Sequence, residues 1–380
     1  MDRAELSAWL RLLLTPRLGL LTARKLLAAL GSPQAVFQAS PAVLGQLVSP
    51  REAEALQVEP EGLAEQVDRS LAWLLAPDPV GAQRAILSLG DPRYPPALLE
   101  VADPPLLLFA LGQLSWLQAP AMALVGSRNP TPQGRDNAQA FAHALSLAGL
   151  TVVSGLADGV DGAAHEGALA ALAEGGLGST IAVVGTGLDR VYPAKHQALA
   201  HRIAQHGLLL SEFALGTPPL APNFPKRNRI VAALSRGTLV VEAVLQSGSL
   251  ITARLAAEMG RELMAIPGSI HAPQSRGAHA LIKQGARLIE TAQDVLDALH
   301  WSGGLGVPSA VRPDASSDAT EEAPSDAVLE AMGCDPVTQD ALSARTGLGS
   351  AELGARLLSL ELDGLVARLP GQLFQRSGRA

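Results

Sequence analysis

The sequence predicts an α/β protein built on a doubly wound, mostly parallel β-sheet, with a small helical domain before the sheet and a winged helix after it. Between residues 81 and 300, short apolar segments alternate with helical ones, as repeated βα units do. The short segments are apolar on both faces, which is typical of strands buried between two layers of helices. Together these observations favour a Rossmann-like core.

The predicted strands are separated by helical stretches such as QGRDNAQAFAHALSLAG and GSLITARLAAEMG. A parallel sheet needs such crossover helices, because consecutive parallel strands cannot be joined by a tight turn. The strands are AMALVG (121–126), TVVSG (151–155), IAVVG (181–185), GLLLSE (207–212), TLVVEA (238–243), ELMAIPG (262–268) and ARLIE (286–290).

Residues 1–80 carry apolar residues at helical spacing and predict a module of short helices, of the SAM or helix-hairpin-helix type. Leu18-Gly19-Leu20 predicts a hairpin between two helices, with Thr22 capping the second. Such a hairpin either offers backbone N–H groups to phosphates or only packs the helices together.

Residues 301–325 are rich in Gly, Pro, Ser and acidic residues, and they predict a flexible linker. Residues 326–380 predict a winged helix, with three helical segments and two strands around Pro370-Gly371. The third helix of such a module usually binds duplex DNA. This segment is acidic overall, so protein contact or a structural role remains the alternative.

Composition sets the expected compartment and partners. The single cysteine, Cys334, excludes an intramolecular disulfide and a Cys-rich metal site, which fits a reducing cytosol. The N-terminus does not have the pattern of a secretory signal, and no apolar run reaches about 18 residues, so we expect a cytoplasmic protein without membrane contact. The net charge is −7, but residues 81–300 carry 16 basic and 16 acidic groups, which leaves room for a basic face.

Several glycine-rich turns follow the predicted strands. In a doubly wound sheet these turns meet at the carboxyl ends of the strands, where backbone N–H groups and helix N-termini bind anions. The first turn lacks a dinucleotide fingerprint, and Arg128 within it suits a phosphodiester because its planar fork pairs two oxygens. The predicted anion-binding positions in these turns are Gly126, Ser127, Arg128, Gly155, Gly187, Gly248 and Ser249.

The segment Asn223–Arg229 joins a predicted strand to an apolar helix and combines cations with one aromatic ring. We expect Phe224, Lys226, Arg227, Asn228 and Arg229 to contact an anion. A solvated charge run, or pairing with Glu212 or Glu242, is the alternative. The YPAKH motif adds Tyr192, Lys195 and His196, and aromatic rings interleaved with cations are typical of single-strand binding.

Catalytic groups are not apparent. Asp158, Asp161 and His165 lie close in sequence, but two carboxylates and one histidine are an incomplete metal site, and Asp161 suits a helix N-cap. We expect no metal, no cofactor and no catalytic residue.

A series of motifs resembles the DprA (DNA-processing protein A, Smf) family. It runs from about residue 85 to 300: LGDPRYPPAL, VGSRNPTPQG, VVSGLADGVDGAAHEGAL, VVGTGLDRVYPAKHQAL, LLSEFALGTPPLAPNFPKRNRIVAALS, VVEAVLQSGSLITARLA and AIPGSIHAPQSRGAHALIKQGA. The resemblance implies a homodimeric, non-catalytic protein of natural transformation, which binds and protects single-stranded DNA and helps load a RecA-type recombinase. It implies DNA contacts by Arg128, Lys195 and Lys226–Arg229; His196 stands where the family often has Asn.

Two other functions remain open from the sequence. The related lysine-decarboxylase-like (LOG) proteins hydrolyse nucleoside monophosphates with a PGGxGTxxE turn. The comparable stretch here, VVEAVLQSGSLITA, lacks that turn. The third hypothesis is a protein-interaction scaffold that leaves the crevice empty.

Overall fold

The computed structural model describes residues 1–77, 81–302, 326–333 and 336–376. The N-terminal module begins its third, fourth and fifth helices with the same Ser-Pro pair. Ser32, Ser40 and Ser49 each accept a hydrogen bond from a backbone N–H in the first turn, and proline occupies the first helical position, where its missing N–H costs nothing. The helices of this module are α1 (Arg3–Leu14), α2 (Leu20–Leu30), α3 (Pro33–Gln38), α4 (Pro41–Leu47), α5 (Pro50–Gln57) and α6 (Leu63–Leu75).

The predicted cap at Thr22 is wrong. Gly19 is the N-cap of α2 and makes no side-chain cap. Thr22 lies two residues inside the helix, where its hydroxyl is 3.0 Å from Glu52 Oε1 on α5. The module boundary at residue 80 stays a prediction, because residues 78–80 lie outside the described residues.

In the part of the chain that the structure describes, the central sheet has nine strands in the order β1-β2-β6-β5-β4-β3-β7-β8-β9. β2 pairs antiparallel with both β1 and β6, and the other neighbouring pairs are parallel, which confirms the mostly parallel sheet. The strands are β1 (Gln83–Ser88), β2 (Leu107–Gly112), β3 (Ala121–Val125), β4 (Thr151–Ser154), β5 (Thr180–Val183), β6 (Leu208–Ser211), β7 (Gly237–Val240), β8 (Glu262–Ala265) and β9 (Arg287–Leu288).

Helices cover both faces of the sheet. Alternation along β3 divides its side chains, so that Val125 faces one core under α10, α11 and α12, while Leu124 faces a second core under α7, α8 and α13. The helices are α7 (Pro132–Leu147), α8 (Val160–Ala173), α9 (Gln197–His206), α10 (Asn223–Ala233), α11 (Ser249–Glu258), α12 (Arg276–Lys283) and α13 (Ala292–Ala298).

The strand order reverses at β3. From β3 the chain builds β4, β5 and β6 to one side, and then returns to place β7 on the other side. In an open α/β sheet this switch point is where ligands bind, beyond the carboxyl ends of the strands. The turns after β3, β4 and β7 therefore lie where a ligand is expected to bind.

Strands β1 and β2 were not predicted. They form the sheet edge on which the N-terminal module packs. Phe109 on β2 lies 6.2 Å from Trp73 of α6 between ring centroids, and Ile86 on β1 packs into the same core as Leu6 and Leu10 of α1. The module and the sheet therefore share one apolar core.

The C-terminal module is a winged helix, as predicted. Three helices pack against a three-stranded sheet around a core that includes Leu342, Leu357 and Phe374. Most of the predicted linker, residues 303–325, lies outside the described residues. The elements are α14 (Ala327–Met332), β10 (Val337–Thr338), α15 (Gln339–Thr346), α16 (Ser350–Leu362), β11 (Val366–Leu369) and β12 (Leu373–Arg376). Within the described residues, every helix is too short or too polar to cross a bilayer.

Candidate nucleic-acid interface

The turns after β3, β4 and β7 enclose a cavity of about 310 Å³, which we call the crevice. Two helices open into it, α10 and α11, and the N-cap of α11 is Gly248. Most of the predicted positions line the crevice, namely Gly126, Ser127, Arg128, Gly155, Phe224, Arg227, Asn228, Gly248 and Ser249. Gly187 does not line the crevice; a Cβ at this position would lie 2.6 Å from Asp189 Oδ1 and 2.7 Å from the carbonyl oxygen of Ala214.

Glycine is required in the crevice wall because neighbouring groups approach the backbone closely. A Cβ at position 155 would overlap the guanidinium of Arg227, and one at position 126 would lie 2.7 Å from Val160 Cγ2. Glycine leaves the main chain of these turns open to a ligand.

Arg128 and two aromatic rings form a layered edge of the crevice. The guanidinium carbon of Arg128 lies 5.6 Å from the centroid of the Phe224 ring, within cation–π range. The Phe224 and Tyr192 centroids are 5.5 Å apart, and Tyr192 is 45% exposed. Arg128 does not pair with Glu242, whose carboxylate instead accepts hydrogen bonds from the amide and hydroxyl of Thr131. Arg128 thus presents its charge to solvent.

Arg227 forms the floor of the crevice. Its side chain is buried, and Nη1 donates a 2.7 Å hydrogen bond to the carbonyl oxygen of Val183 at the end of β5. Burial lowers the pKa of Arg227 to about 10, and Asp161 opposes that effect, so the guanidinium stays charged at neutral pH. The crevice therefore has a fixed positive charge beneath its glycine walls.

Asp161 and His165 shape the turn after β4. Asp161 accepts hydrogen bonds from the amides of Gly155 and Ala157, at 3.1 and 3.3 Å. The predicted N-cap role is wrong, because Gly159 is the N-cap of α8 and Asp161 lies inside the first turn. Burial raises the pKa of Asp161, while Arg227 lowers it.

His165 is fully buried and neutral. Its Nε2 accepts a hydrogen bond from the Leu156 amide, so Nδ1 carries the proton and donates to Thr180 Oγ1 at 2.6 Å. Burial lowers the pKa of His165 to about 3. Among the described residues, no group of three or more His, Cys, Asp and Glu side chains is placed to hold a metal ion.

Lys195 and His196 lie beside the crevice in different environments. Lys195 is 66% exposed, and its Nζ lies 3.1 Å from Asp158 Oδ1. His196 is mostly buried, with Nδ1 3.0 Å from the carbonyl oxygen of Leu156. Lys195 can reach a ligand, whereas His196 supports the turn after β4.

The Lys226–Arg229 run divides between surface and interior. Lys226 is 43% exposed and lies 3.5 Å from Glu212 Oε2. Asn228 donates from Nδ2 to the carbonyl oxygen of Gly248, which ties α10 to the start of α11.

Contrary to the prediction, Arg229 does not face the crevice. It is 6% exposed, and its Nη2 donates to Glu212 Oε2 at 2.6 Å while its Nε donates to Asp103 Oδ2 at 2.9 Å. The alternative of pairing with Glu212 is therefore confirmed for Arg229. A guanidinium held by two carboxylates positions α10 against the end of β6.

Sequence reasoning named Tyr192 through the YPAKH motif, but it did not predict the contact of Asp158 with Lys195. No sequence signal could have paired Asp158 with Lys195, since the two come from different βα units.

The fold and the crevice define a Rossmann-like protein with a positively charged crevice at its switch point and an appended winged helix. The chain belongs to the DNA recombination-mediator protein A family, whose model matches residues 85–300. The model of the DprA winged helix domain matches residues 312–372.

Known relatives agree with this assignment. Protein Smf of Escherichia coli is 41% identical over 312 residues, which is 81% of this chain and 80% of that protein. The X-ray structure of DprA from Streptococcus pneumoniae has a TM-score of 0.65 at 36% identity, and covers 78% of this chain and 98% of that one. A Helicobacter pylori DprA structure, described for its single-stranded DNA binding mode, has a TM-score of 0.52 at 33% identity, and covers 58% and 97%.

Proposed function

We propose that this chain binds single-stranded DNA in the crevice and does so without catalysing a reaction. The observation that carries the proposal is the edge formed by Arg128, Phe224 and Tyr192 above the charged floor of Arg227. A nucleic acid strand offers both groups that this edge suits, namely phosphates for the guanidinium groups and base faces for the rings.

The same geometry favours a single strand over a duplex. Bases paired in a duplex are stacked on each other, so their faces are closed to Tyr192 and Phe224. A concave crevice about 310 Å³ in volume also admits one strand more readily than a rigid double helix. The described binding mode of the Helicobacter pylori relative supports the same ligand.

We assign the cations by their exposure. Arg128, Lys195 and Lys226 contact phosphates, and Arg227 contributes its charge from the floor. Arg229 and His196 act as positioning residues, because Nε and Nη2 of Arg229 and Nδ1 of His196 are engaged within the protein.

A titration of labelled oligonucleotides tests this proposal. We expect single-stranded DNA to bind at least about tenfold more tightly than duplex of equal length, a difference of about 1.4 kcal/mol. Equal affinities would reject the single-strand assignment. Loss of the complex at higher salt is expected for a contact through phosphates. If the protein binds no oligonucleotide in this titration, the scaffold hypothesis is favoured.

The enzyme hypothesis predicts turnover. Asp161 and Glu242 accept hydrogen bonds from the backbone of turns, and His165 is buried. These groups therefore have structural roles in the crevice wall. Incubation of the purified protein with AMP, followed by chromatography for released adenine, distinguishes binding from hydrolysis. Release of adenine would overturn the non-catalytic assignment.

We further propose that the protein acts in the cytoplasm as a homodimer, protects DNA taken up in natural transformation, and helps load a RecA-type recombinase. Membership of the recombination-mediator family supports this role. Light scattering on the purified chain tests the dimer. Filament formation by the recombinase on strands coated with single-strand binding protein, with and without this chain, tests loading.

A further inference from the structure

A second and larger depression adjoins the crevice, between the sheet and the winged helix. We call it the interdomain groove; its volume is about 1320 Å³. Arg128 and Asn129 line both the crevice and the groove, so the two are continuous. Gln375 of the wing donates from Nε2 to Gln133 Oε1 on α7 at 3.3 Å, which joins the two modules beside the groove.

The groove is cationic although the chain is acidic. The core contributes Arg128, Arg135 and Lys195, and the winged helix contributes Arg345. Among the described residues that line the groove, Asp136 is the only carboxylate. Lys195 is partly neutralised by Asp158, but Arg135 and Arg345 are exposed. Four cations from two modules converge on one surface, which favours an anionic ligand.

Arg345 is held in place at this surface. Its Nη1 donates a 2.9 Å hydrogen bond to the carbonyl oxygen of Ala331, at the end of α14, while the side chain stays exposed. The anchored guanidinium loses less conformational freedom when it binds a phosphate than a free side chain would.

The groove has room for a chain that continues from the crevice. It is larger than typical small-molecule pockets of about 300–1,000 Å³ and shares Arg128 and Asn129 with the crevice. Leu369, Pro370 and Leu373, at the tip of the wing, add an apolar surface beside the cations. Phosphates and bases together match such a mixed wall.

The groove does not use the surface with which winged helices usually enter duplex DNA. Within the winged helix, the described lining consists of Pro336, Arg345 of α15, Gly364 and the β11–β12 wing, and none of it comes from the third helix, α16. A duplex site on α16 would leave Arg345 and the wing tip beside it rather than in it.

We propose that the interdomain groove is a second binding segment for single-stranded DNA. A strand that leaves the crevice past Arg128 continues between α7 and the wing, where Arg135 and Arg345 neutralise further phosphates. The winged helix thus lengthens the site that the core provides. This inference rests on the proposed function of the crevice.

Two oligonucleotide lengths test the groove in the full chain. An oligo-dT of about 6 nucleotides is long enough to place a nucleotide in the crevice, whereas one of about 25 nucleotides also reaches the groove. The variant carrying Arg135→Ala and Arg345→Ala should bind the long strand about tenfold more weakly at low salt. Its slope of log K against log salt should flatten by about 1.4, since each lost phosphate contact removes about 0.7. Its binding of the short strand should stay unchanged.

Controls separate this proposal from the proposed function. Arg51→Ala removes one positive charge from the exposed surface of α5, outside both the crevice and the groove, and should alter neither length. Arg128→Ala should weaken both lengths. If Arg128→Ala weakens both while the double variant binds the long strand normally, the groove is rejected and the crevice stands.

Three other outcomes would overturn the groove. The double variant could lose both lengths equally, which would indicate a general charge effect. It could lose duplex binding as much as long-strand binding, which would make the groove a duplex site. If the wild-type chain binds neither length, the proposed function fails together with the groove. Melting temperatures near wild type are expected, because both arginines are exposed.

Discussion

Arg128 lies over the ring of Phe224, with the guanidinium carbon 5.6 Å from the ring centroid, although the two residues come from different βα units. The contact joins the turn after β3 to the start of α10. It also orients the planar fork of the arginine at the mouth of the crevice, so that little rearrangement is needed to pair it with a phosphate.

The first prediction concerns this arginine. Arg128→Ala should weaken single-strand binding at low salt and flatten the salt slope by about 0.7, because one phosphate contact is lost. Arg128→Lys, which keeps the charge without the fork, should retain the slope and lose only part of the affinity. Fluorescence anisotropy at several salt concentrations measures both. A stable Arg128→Ala protein with a wild-type slope would exclude Arg128 as a contact.

The second prediction divides the run on α10. Arg229→Ala leaves Glu212 buried without its closest partner, and breaking such a pair costs about 3–5 kcal/mol of stability. Lys226→Ala should change stability little, because Lys226 is 43% exposed, and it should flatten the salt slope by about 0.7. Urea unfolding and salt-dependent binding check both variants. Equal stability of the two proteins would contradict the buried role of Arg229.

The third prediction concerns the carboxylate beside Lys195. Asp158 competes with phosphate for Lys195, and surface pairs of this kind contribute about 0–1 kcal/mol. Asp158→Asn should therefore bind single-stranded DNA up to about fivefold more tightly at low salt. Glu100→Gln, which also removes one negative charge but pairs with Arg261 instead, serves as the matched control. An equal gain in both variants would point to net charge alone.

The fourth prediction is a pH dependence of stability. The pKa of His165 is about 3 in the folded chain, because of burial, against about 6.5 when it is unfolded. Between these values the unfolded chain binds a proton that the folded chain refuses, so this contribution to stability is lost as the pH falls below about 6.5. The slope is at most about 1.4 kcal/mol per pH unit.

His165→Gln tests that dependence. The variant should be less stable than wild type at pH 7, because the hydrogen bonds of His165 are disturbed. Its free energy of unfolding should fall less steeply between pH 6.5 and pH 4.5. Urea unfolding at three pH values provides the comparison. Parallel pH curves for the two proteins would show that His165 is not the group that titrates.

The sequence predicted the meeting of the glycine turns because strand topology alone brings the carboxyl ends of parallel strands together. It could not predict that Arg229 is buried and paired with Glu212. The run is a sequence of cations, but which of them point outward depends on where α10 begins and on the position of Glu212 at the end of β6. Nor could it place Asp161, because the N-cap of α8 fell on Gly159, whose φ of 79° suits glycine.

The shared core of the N-terminal helices and strand β2 gives those helices a role at a distance from any ligand. Phe109 of β2 packs in that core, and its backbone pairs with Ser211, the residue that precedes Glu212. Amide hydrogens of α6, β2 and β6 should therefore exchange with solvent as one cooperative unit. The helical module would then stabilise this edge of the sheet. Local unfolding of the module would disturb the ion pair between Arg229 and Glu212 that holds α10.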